Sequence, residues 1–517
     1  MKKVMKLIIV VVLSVFVVCC GDASSDKTPD SDVTDSDSET AQDDAEVDVD
    51  SPPIVAGALA EQCEAQVGNP RVIEVTPGLF LATGYDLANT ILVQTDDGNV
   101  VIDVSMSPTR AQQVKDALMA VAPGPTRAII YTHSHLDHVG GASVWMEEGT
   151  QIWATDAFFG HLMKQYGSFR QAETKRAALM HATDLSLEVL PCSSLGKRVD
   201  LAAALNTGVR KPTHTFSGST EIEVGGISIE LVEAHGETHD QLFVWIPQMG
   251  ALMPGDNYYH AFPNLYTIRG TSPRPVKEWI RSLDKMRTRQ PEFLLPSHTQ
   301  PVIGQALIQE SLRDYRDAIQ WVYDEVVRGA NNVEDLDSMS ARIKLPAHLA
   351  VKANLQELYG QVDWSVRGIY SSQMGWADGR ADRLYPPANV AAREIELMGG
   401  AQAVLDAAKS ARAKGELKWS THLMGKLRDS GLLAVETLNP ELAASYEALG
   451  LSVQNSNGRA YLLQSANVLK NGPMVLGKPT IDEIFLETLP IETFFDVLPA
   501  RLKANETLEV FESANFQ

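Results

Sequence analysis

Four short stretches near the start of the folded body, Val72–Val75, Leu79–Thr83, Thr90–Gln94 and Val100–Val104, alternate or run apolar, which predicts strands. Asp97-Gly98 supplies a hairpin turn between the last two. From Ser107-Pro108 the apolar period lengthens: Val114, Leu118 and Val121 share one face of a helix that Pro123-Gly124-Pro125 stops. Ala128–Tyr131 is a continuous apolar run and predicts a buried strand. Later runs at Ile227–Val232, Leu242–Ile246, Ala251-Leu252 and Leu294-Leu295 predict further strands. Beyond about Ile303 the pattern is helical, with Tyr315, Ile319, Val322 and Val326 on one face. A hairpin followed by β-α-β order predicts α/β architecture, a four-layered αββα sandwich followed by an all-α region.

A chain of 517 residues exceeds what one core holds, since single cores stop growing near ~250 to 300 residues. The net charge of -22 is unevenly spread. Residues 22–50 hold twelve acids against Lys27 alone, so about half the excess lies in one polar stretch. Residues 21–55 cannot bury enough surface to offset their ordering entropy and are expected to be a disordered acidic linker. The rest is mildly acidic, and without clustered Lys and Arg it offers no nucleic-acid surface. At the N-terminus, Lys2, Lys3 and Lys6 precede an apolar run from Leu7 to Val18, too short to span a bilayer and typical of a secretory signal. Cys19-Cys20-Gly21 then resembles the bacterial lipobox, with Cys20 as the lipidated residue. Residues 1–20 are thus expected to be a lipoprotein signal, leaving an exported protein held at a membrane, periplasmic or at the cell surface. Export makes a disulfide permissible, and the sequence leaves open whether Cys63 and Cys192 are bridged.

The candidate chemistry centres on residues 132–141, THSHLDHVGG. His133, His135, Asp137 and His138 follow the strand Ala128–Tyr131, which delivers them to its C-terminal end. In an extended segment His133 and His135 project to the same side and can share one ion, while Asp137 and His138 can serve a second. Gly140 and Gly141 would let the backbone turn tightly. Downstream, three more strands end in donor-bearing turns: Glu233–Gln241, Met253–Asn257 and Leu294–Gln300.

The H-x-H-x-D-H spacing resembles the signature of the metallo-β-lactamase superfamily. In that superfamily the turn after the next sheet strand usually supplies a third histidine; here the position falls on Glu237, as in the alkylsulfatase branch. Asp256 matches the bridging aspartate, where some alkylsulfatases carry glutamate, and His298 matches the last ligand. The resemblance implies two Zn2+ ions, one on His133, His135, Glu237 and Asp256, the other on Asp137, His138, Asp256 and His298. His235 and His239 flank Glu237 and are expected outside the ligand set.

The piece NLYTIRG resembles the alkylsulfatase substrate loop, which implies that Arg269 holds a sulfate group, with Asn264 and Tyr266 beside it. Asp137 and Arg269 are the residues given catalytic roles. Tyr258, Tyr259 and Phe262 are walls for an alkyl chain or ordinary core residues. LYG-x-V-x-W-S-VR-x-IY and GW-x-DG, within residues 344–379, resemble the alkylsulfatase dimerisation domain, which implies a homodimer. Trp364, Tyr370 and Trp376 are its expected exposed aromatics. The resulting division is a catalytic domain over 56–304, a helical dimerisation domain over 305–472 and a partial sterol-carrier-like segment over 473–517. The expected activity is hydrolysis of alkyl sulfate esters to alcohol and sulfate. Alternatives are another hydrolase of the superfamily (β-lactamase, lactonase or thioesterase) and a ligand-binding lipoprotein without catalysis.

Overall fold

The computed structural model describes residues 57–165, 167–200, 206–474, 480–481, 483–488 and 490–501. The expected signal, Cys20, the acidic linker and most of the sterol-carrier-like segment lie outside the described residues.

Strands β1 (Arg71–Thr76), β2 (Leu79–Thr83), β3 (Thr90–Thr95), β4 (Gly98–Ile102), β5 (Thr126–Ile130) and β6 (Gln151–Thr155) lie side by side in chain order. A two-residue strand, β7 (Asn206–Thr207), lies apart, and β8 (His214–Phe216) completes the seven-stranded sheet beside β6. Its first four strands are antiparallel and β4, β5, β6 and β8 are parallel. Strands β9 (Ser219–Val224), β10 (Ile227–Glu233), β11 (Leu242–Ile246), β12 (Ala251–Met253), β13 (Phe293–Leu294) and β14 (Val302–Ile303) form a second sheet in the order β14-β13-β12-β11-β10-β9. Only β12 and β13 are parallel there.

The period of two decides how these sheets pack. Ala128 and Ile130 of β5 join Leu81, Ile91, Leu231 and Val244 in the core between the sheets. Ile129, between them, faces outward against helix α1 (Pro108–Met119) through Val114 and Leu118. On the far side, after α2 (Arg170–His181), helix α3 (Val276–Thr288) lays Trp279, Leu283 and Met286 on the second sheet. The result is the expected αββα sandwich. Helix α1 ends at Met119, one turn short of the expected stop, so Val121 leaves the apolar face and is exposed.

Helix α4 (Gln305–Asn331) buries Tyr315, Ile319, Val322 and Val326 in the same core as α3, and α5 (Val362–Met374) packs on it. Tyr370 shares the buried face of α5 with Val362, Val366 and Ile369, so the expectation that it is exposed is corrected: it is 4% accessible. Trp376 lies beyond the helix end and is 74% exposed, while Trp364 is half-buried against Gly458. Helices α6 (Val390–Leu397), α7 (Ala401–Ala413), α8 (Leu417–Ser430), α9 (Val435–Ser452) and α10 (Ser456–Asn471) follow. Helix α10 packs on α2 and ties this helical region to the sandwich. Its buried Arg459 donates to Val189 O and to the carbonyls of Leu451 and Val453 at the end of α9. In the last part, β15 (Thr480–Ile481) pairs in parallel with β7. Among the described residues, no helix is long and apolar enough to cross a membrane.

Cys63 and Cys192 form a disulfide across a sequence separation of 129 residues. Closing so long a loop removes much of the unfolded chain's freedom. Reduction, or Cys63→Ser with Cys192→Ser, is expected to lower unfolding stability by about 2 to 5 kcal/mol in urea titration. An unchanged midpoint after verified reduction would show that the bridge does not constrain the unfolded state.

Candidate metal centre

The site is assembled at the C-terminal ends of strands from both sheets. The parallel register places Ile102 of β4 beside Ile130 of β5, so the residues after each strand meet. Asp103 leaves β4 with φ 56°, a left-handed turn that directs its carboxylate under the next loop. It accepts from Thr132 N and Thr132 Oγ1, both at 2.9 Å, from Ser297 Oγ at 2.7 Å and from His138 Nδ1 at 2.7 Å. His135 starts the short helix Leu136–Val139, which carries Asp137 and His138. Gly140 and Gly141 have negative φ, so tight turning is not their role. They allow close approach: a Cβ on Gly140 would sit 1.8 Å from Met106 O, and one on Gly141 2.2 Å from Val104 O.

The other donors come from the second sheet. Glu237 lies in the β10–β11 connection, where its N–H donates to Asn257 Oδ1 at 3.0 Å while Asn257 Nδ2 donates to Ala234 O at 2.7 Å. Asp256, one residue earlier, follows β12 in a single 3-10 turn, so one asparagine fixes both acids. His298 follows β13, and its Nδ1 lies 2.9 Å from Leu87 O.

All seven expected side chains come together. His133, His135, Glu237 and Asp256 form one potential ligand group; Asp137, His138 and His298 form another. Asp256 lies between them: its Oδ2 is 3.7 Å from His133 Nε2 and 3.2 Å from His298 Nε2, and its Oδ1 is 3.5 Å from His138 Nε2. Glu237 Oε2 is 3.2 Å from His135 Nδ1, and Asp137 Oδ2 is 3.3 Å from His138 Nε2. His138 Nε2, Glu237 Oε2 and Asp256 Oδ1 are buried without an aligned hydrogen-bond partner among the described residues. Buried polar atoms are rarely left unpaired, and these three aim at the space between nitrogen and oxygen donors. The residues therefore fit divalent cations.

Burial lowers the pKa of His133 to about 4, and His138 adds to the effect, so His133 is a neutral imidazole with a free lone pair. His135 is likewise held well below its ordinary value by burial and by His133. Burial also opposes charge on His138, but Asp256, Asp137 and Asp103 outweigh it and raise that pKa. Glu237 is pushed up to about 7 by burial, partly offset by Arg274 and reinforced by Asp256.

Arg269 stands at the edge of this centre, with Nη2 3.5 Å from His135 Nε2, and lines an open cleft that reaches Glu237 and His135. Asn264 and Tyr266 are not among the described residues lining it. Asn264 is buried, its carbonyl accepting from Arg274 at 2.5 Å, and Tyr266 packs against Gly368 of α5. Tyr258, Tyr259 and Phe262 are core residues, Tyr258 tilted against Tyr315 and Tyr259 edge-on to Tyr359. His235 pairs with Glu233 at 2.9 Å, outside the ligand groups, and His239 stacks on His161. Two residues were invisible to sequence reasoning. Asp103 orients His138, and only its place at a strand end marked it. Arg274 forms a buried ion pair with Glu237 Oε1 and leaves Oε2 directed at the histidines.

The αββα sandwich with this donor set defines a member of the metallo-β-lactamase superfamily, and the family model described as Metallo-beta-lactamase superfamily matches residues 83–298. A second, described as Alkyl sulfatase dimerisation, matches residues 335–472. A linear primary-alkylsulfatase from Pseudomonas sp. is 31% identical over 392 residues, 73% of each chain. An (R)-specific secondary-alkylsulfatase from Pseudomonas sp. is 27% identical over 86% of this chain and 69% of its own. The solved structure of a stereoselective inverting sec-alkylsulfatase from Pseudomonas sp. superposes with a TM-score of 0.82 at 26% identity, covering 89% of this chain and 75% of that one. The chain belongs to the alkylsulfatase family.

Asp103→Asn keeps the shape of the residue but leaves one acceptor oxygen where two are used, so its NH2 must face either Thr132 N–H or the donors of His138, Thr132 and Ser297. Loss of such an outer hydrogen bond is expected to weaken metal retention about 10- to 100-fold in chelator competition. Retention equal to the parent protein would show that Asp103 only braces the loop.

Proposed function

We propose that the protein is a metal-dependent hydrolase that cleaves alkyl sulfate esters to an alcohol and sulfate, with two zinc ions at its centre. The observation that carries this reading is the pair of adjoining ligand groups with Asp256 between them and Arg269 beside His135, in a chain whose relatives are alkylsulfatases. His133, His135, Glu237 and Asp256 would hold one ion, and Asp137, His138, Asp256 and His298 the other. Imidazole and carboxylate donors suit zinc. When bound, the cations supply positive charge that lowers the pKa of a water and polarises the ester.

The chain's own side chains do the positioning. Arg269 presents a fork of N–H donors that matches the oxygens of a sulfate group at the cleft's inner end. Asp137 is kept ionised, because His138 and His298 outweigh the burial that would protonate it, so it accepts a hydrogen bond from the attacking water. Asp256, also held well below its ordinary range by His298, His138 and His133 against burial, turns Oδ2 between His133 and His298 and Oδ1 toward His138, so its carboxylate stands between the two groups. Glu237, clamped by Arg274, keeps its free oxygen on the inner side.

Two further parts of the reading, export and dimerisation, have their own support. The Cys63–Cys192 bridge suits an oxidising compartment, in keeping with an exported protein held to a membrane through a lipid on Cys20. The exposed Trp376, Tyr385 and Leu397 lie within the segment matched by the dimerisation model, which favours a homodimer closed through that region.

Purified protein is expected to release sulfate from an alkyl sulfate panel and to leave nitrocefin intact. Arg269→Ala should lower kcat/KM by about 100-fold and His133→Ala should abolish release. Activity lost in His133→Ala but kept in Arg269→Ala would leave a hydrolase and remove the sulfate role of Arg269. Elemental analysis should find two zinc ions per chain; one ion, retained in His298→Ala, would refute the dinuclear centre.

A further inference from the structure

The cleft beside Glu237 differs in chemistry from most small-molecule sites, which are lined mainly by apolar and aromatic side chains. Of the fourteen described residues that line it, Pro273 is the only apolar one. The aromatic side chains nearest in sequence to the ligand Asp256, those of Tyr258, Tyr259 and Phe262, are turned into the core and give the cleft no wall. Among the described side chains a long alkyl chain would find few apolar partners there.

The charge on the lining is positive. Lys164, Arg269 and Arg274 face Glu173 and Glu237, and Glu237 is already paired with Arg274. Lys164 has no hydrogen bond or ion pair from its ammonium group among the described residues. Its side chain is exposed, but the helix end that carries it is held from two sides. His161, three residues earlier on the helix Phe158–Lys164, stacks on His239 with ring centres 5.6 Å apart and planes 10° from parallel, which holds this helix against the loop that carries Glu237. Gln165 Nε2, the next residue on, donates to Ser134 O at 2.7 Å, between His133 and His135. Burial brings the pKa of His161 down to about 4, with Lys164 adding to the effect, so at neutral pH the positive charge at this end belongs to the lysine.

Building on the sulfate-ester reading, we propose that the organic group of the substrate is short and polar and ends in a second anion, a carboxylate being the simplest, which Lys164 receives at the mouth of the cleft. Arg269 and Lys164 would then bind the two ends of one dianionic ester, and Lys164 would decide which alcohols the enzyme accepts.

The test uses the metal-loaded full chain and sulfate release from butyl to dodecyl sulfates as monomers, beside 4-(sulfooxy)butanoate. The carboxylate-ended ester is expected to exceed butyl sulfate in kcat/KM by about 2- to 5-fold, the gain one exposed charge pair supplies. That ratio should fall to near one in Lys164→Met and return in Lys164→Arg. Along the unsubstituted series kcat/KM should stay nearly flat, whereas an apolar wall would add about fourfold per methylene. A steep rise toward dodecyl sulfate, or a preference unchanged by Lys164→Met, would overturn the proposal while leaving the sulfatase intact. No release from any member would overturn the sulfate-ester reading and this one with it.

Discussion

Three carboxylates, Asp137, Glu237 and Asp256, are held within a few ångströms of one another in a buried pocket. Such groups cannot all remain ionised in a low-dielectric interior unless positive charge stands between them. The strain is visible in Glu237, whose pKa rises to about 7 as burial and Asp256 act on it, and in His138, which the surrounding acids force toward the charged form. Cations at the centre resolve this repulsion. The rest of the structure keeps the acids close enough to need them.

The two sheets do so by packing face to face, with the strand ends that carry the ligands brought together at one end of the sandwich. β4 and β5 bring Asp103 under His138, and β10, β12 and β13 deliver Glu237, Asp256 and His298 from the opposite layer. Each layer is rigid because its strands are buried on both faces, by the other sheet and by helices. The hydrogen bonds of Asp103 and Asn257 then lock the connecting loops, which would otherwise be the mobile part of the site. The helical region contributes indirectly: α10 braces α2, and Gly368 of α5 lets Tyr266 pack closely behind the segment that carries Arg269.

Polarity separates the cleft from the core around it. Aromatic residues that the local sequence offers as walls for a hydrocarbon chain instead fill the space between the second sheet and α4. That choice is made by packing, since α4 presents Tyr315 and Leu312 where those rings would otherwise be exposed. Apart from Pro273, the described side chains at the surface of the cleft are charged or hydrogen-bonding.

The sequence by itself marked β1 to β5 and β10 to β13, because a period of two or a continuous apolar run shows wherever strands are buried, and it placed histidines and acids in the turns that follow β5, β10, β12 and β13, while the choice of Glu237, Asp256 and His298 among them came from the family resemblance. It also marked α4 through Tyr315, Ile319, Val322 and Val326. Only tertiary structure decided that Asp103 orients His138 and that Arg274 clamps Glu237, since each pair joins residues from different strands or loops that no local pattern connects. The same holds for the Cys63–Cys192 bridge and for Tyr370, whose burial depends on which face of α5 meets α4. Local periodicity records which side of an element is covered; what covers it is set by long-range packing.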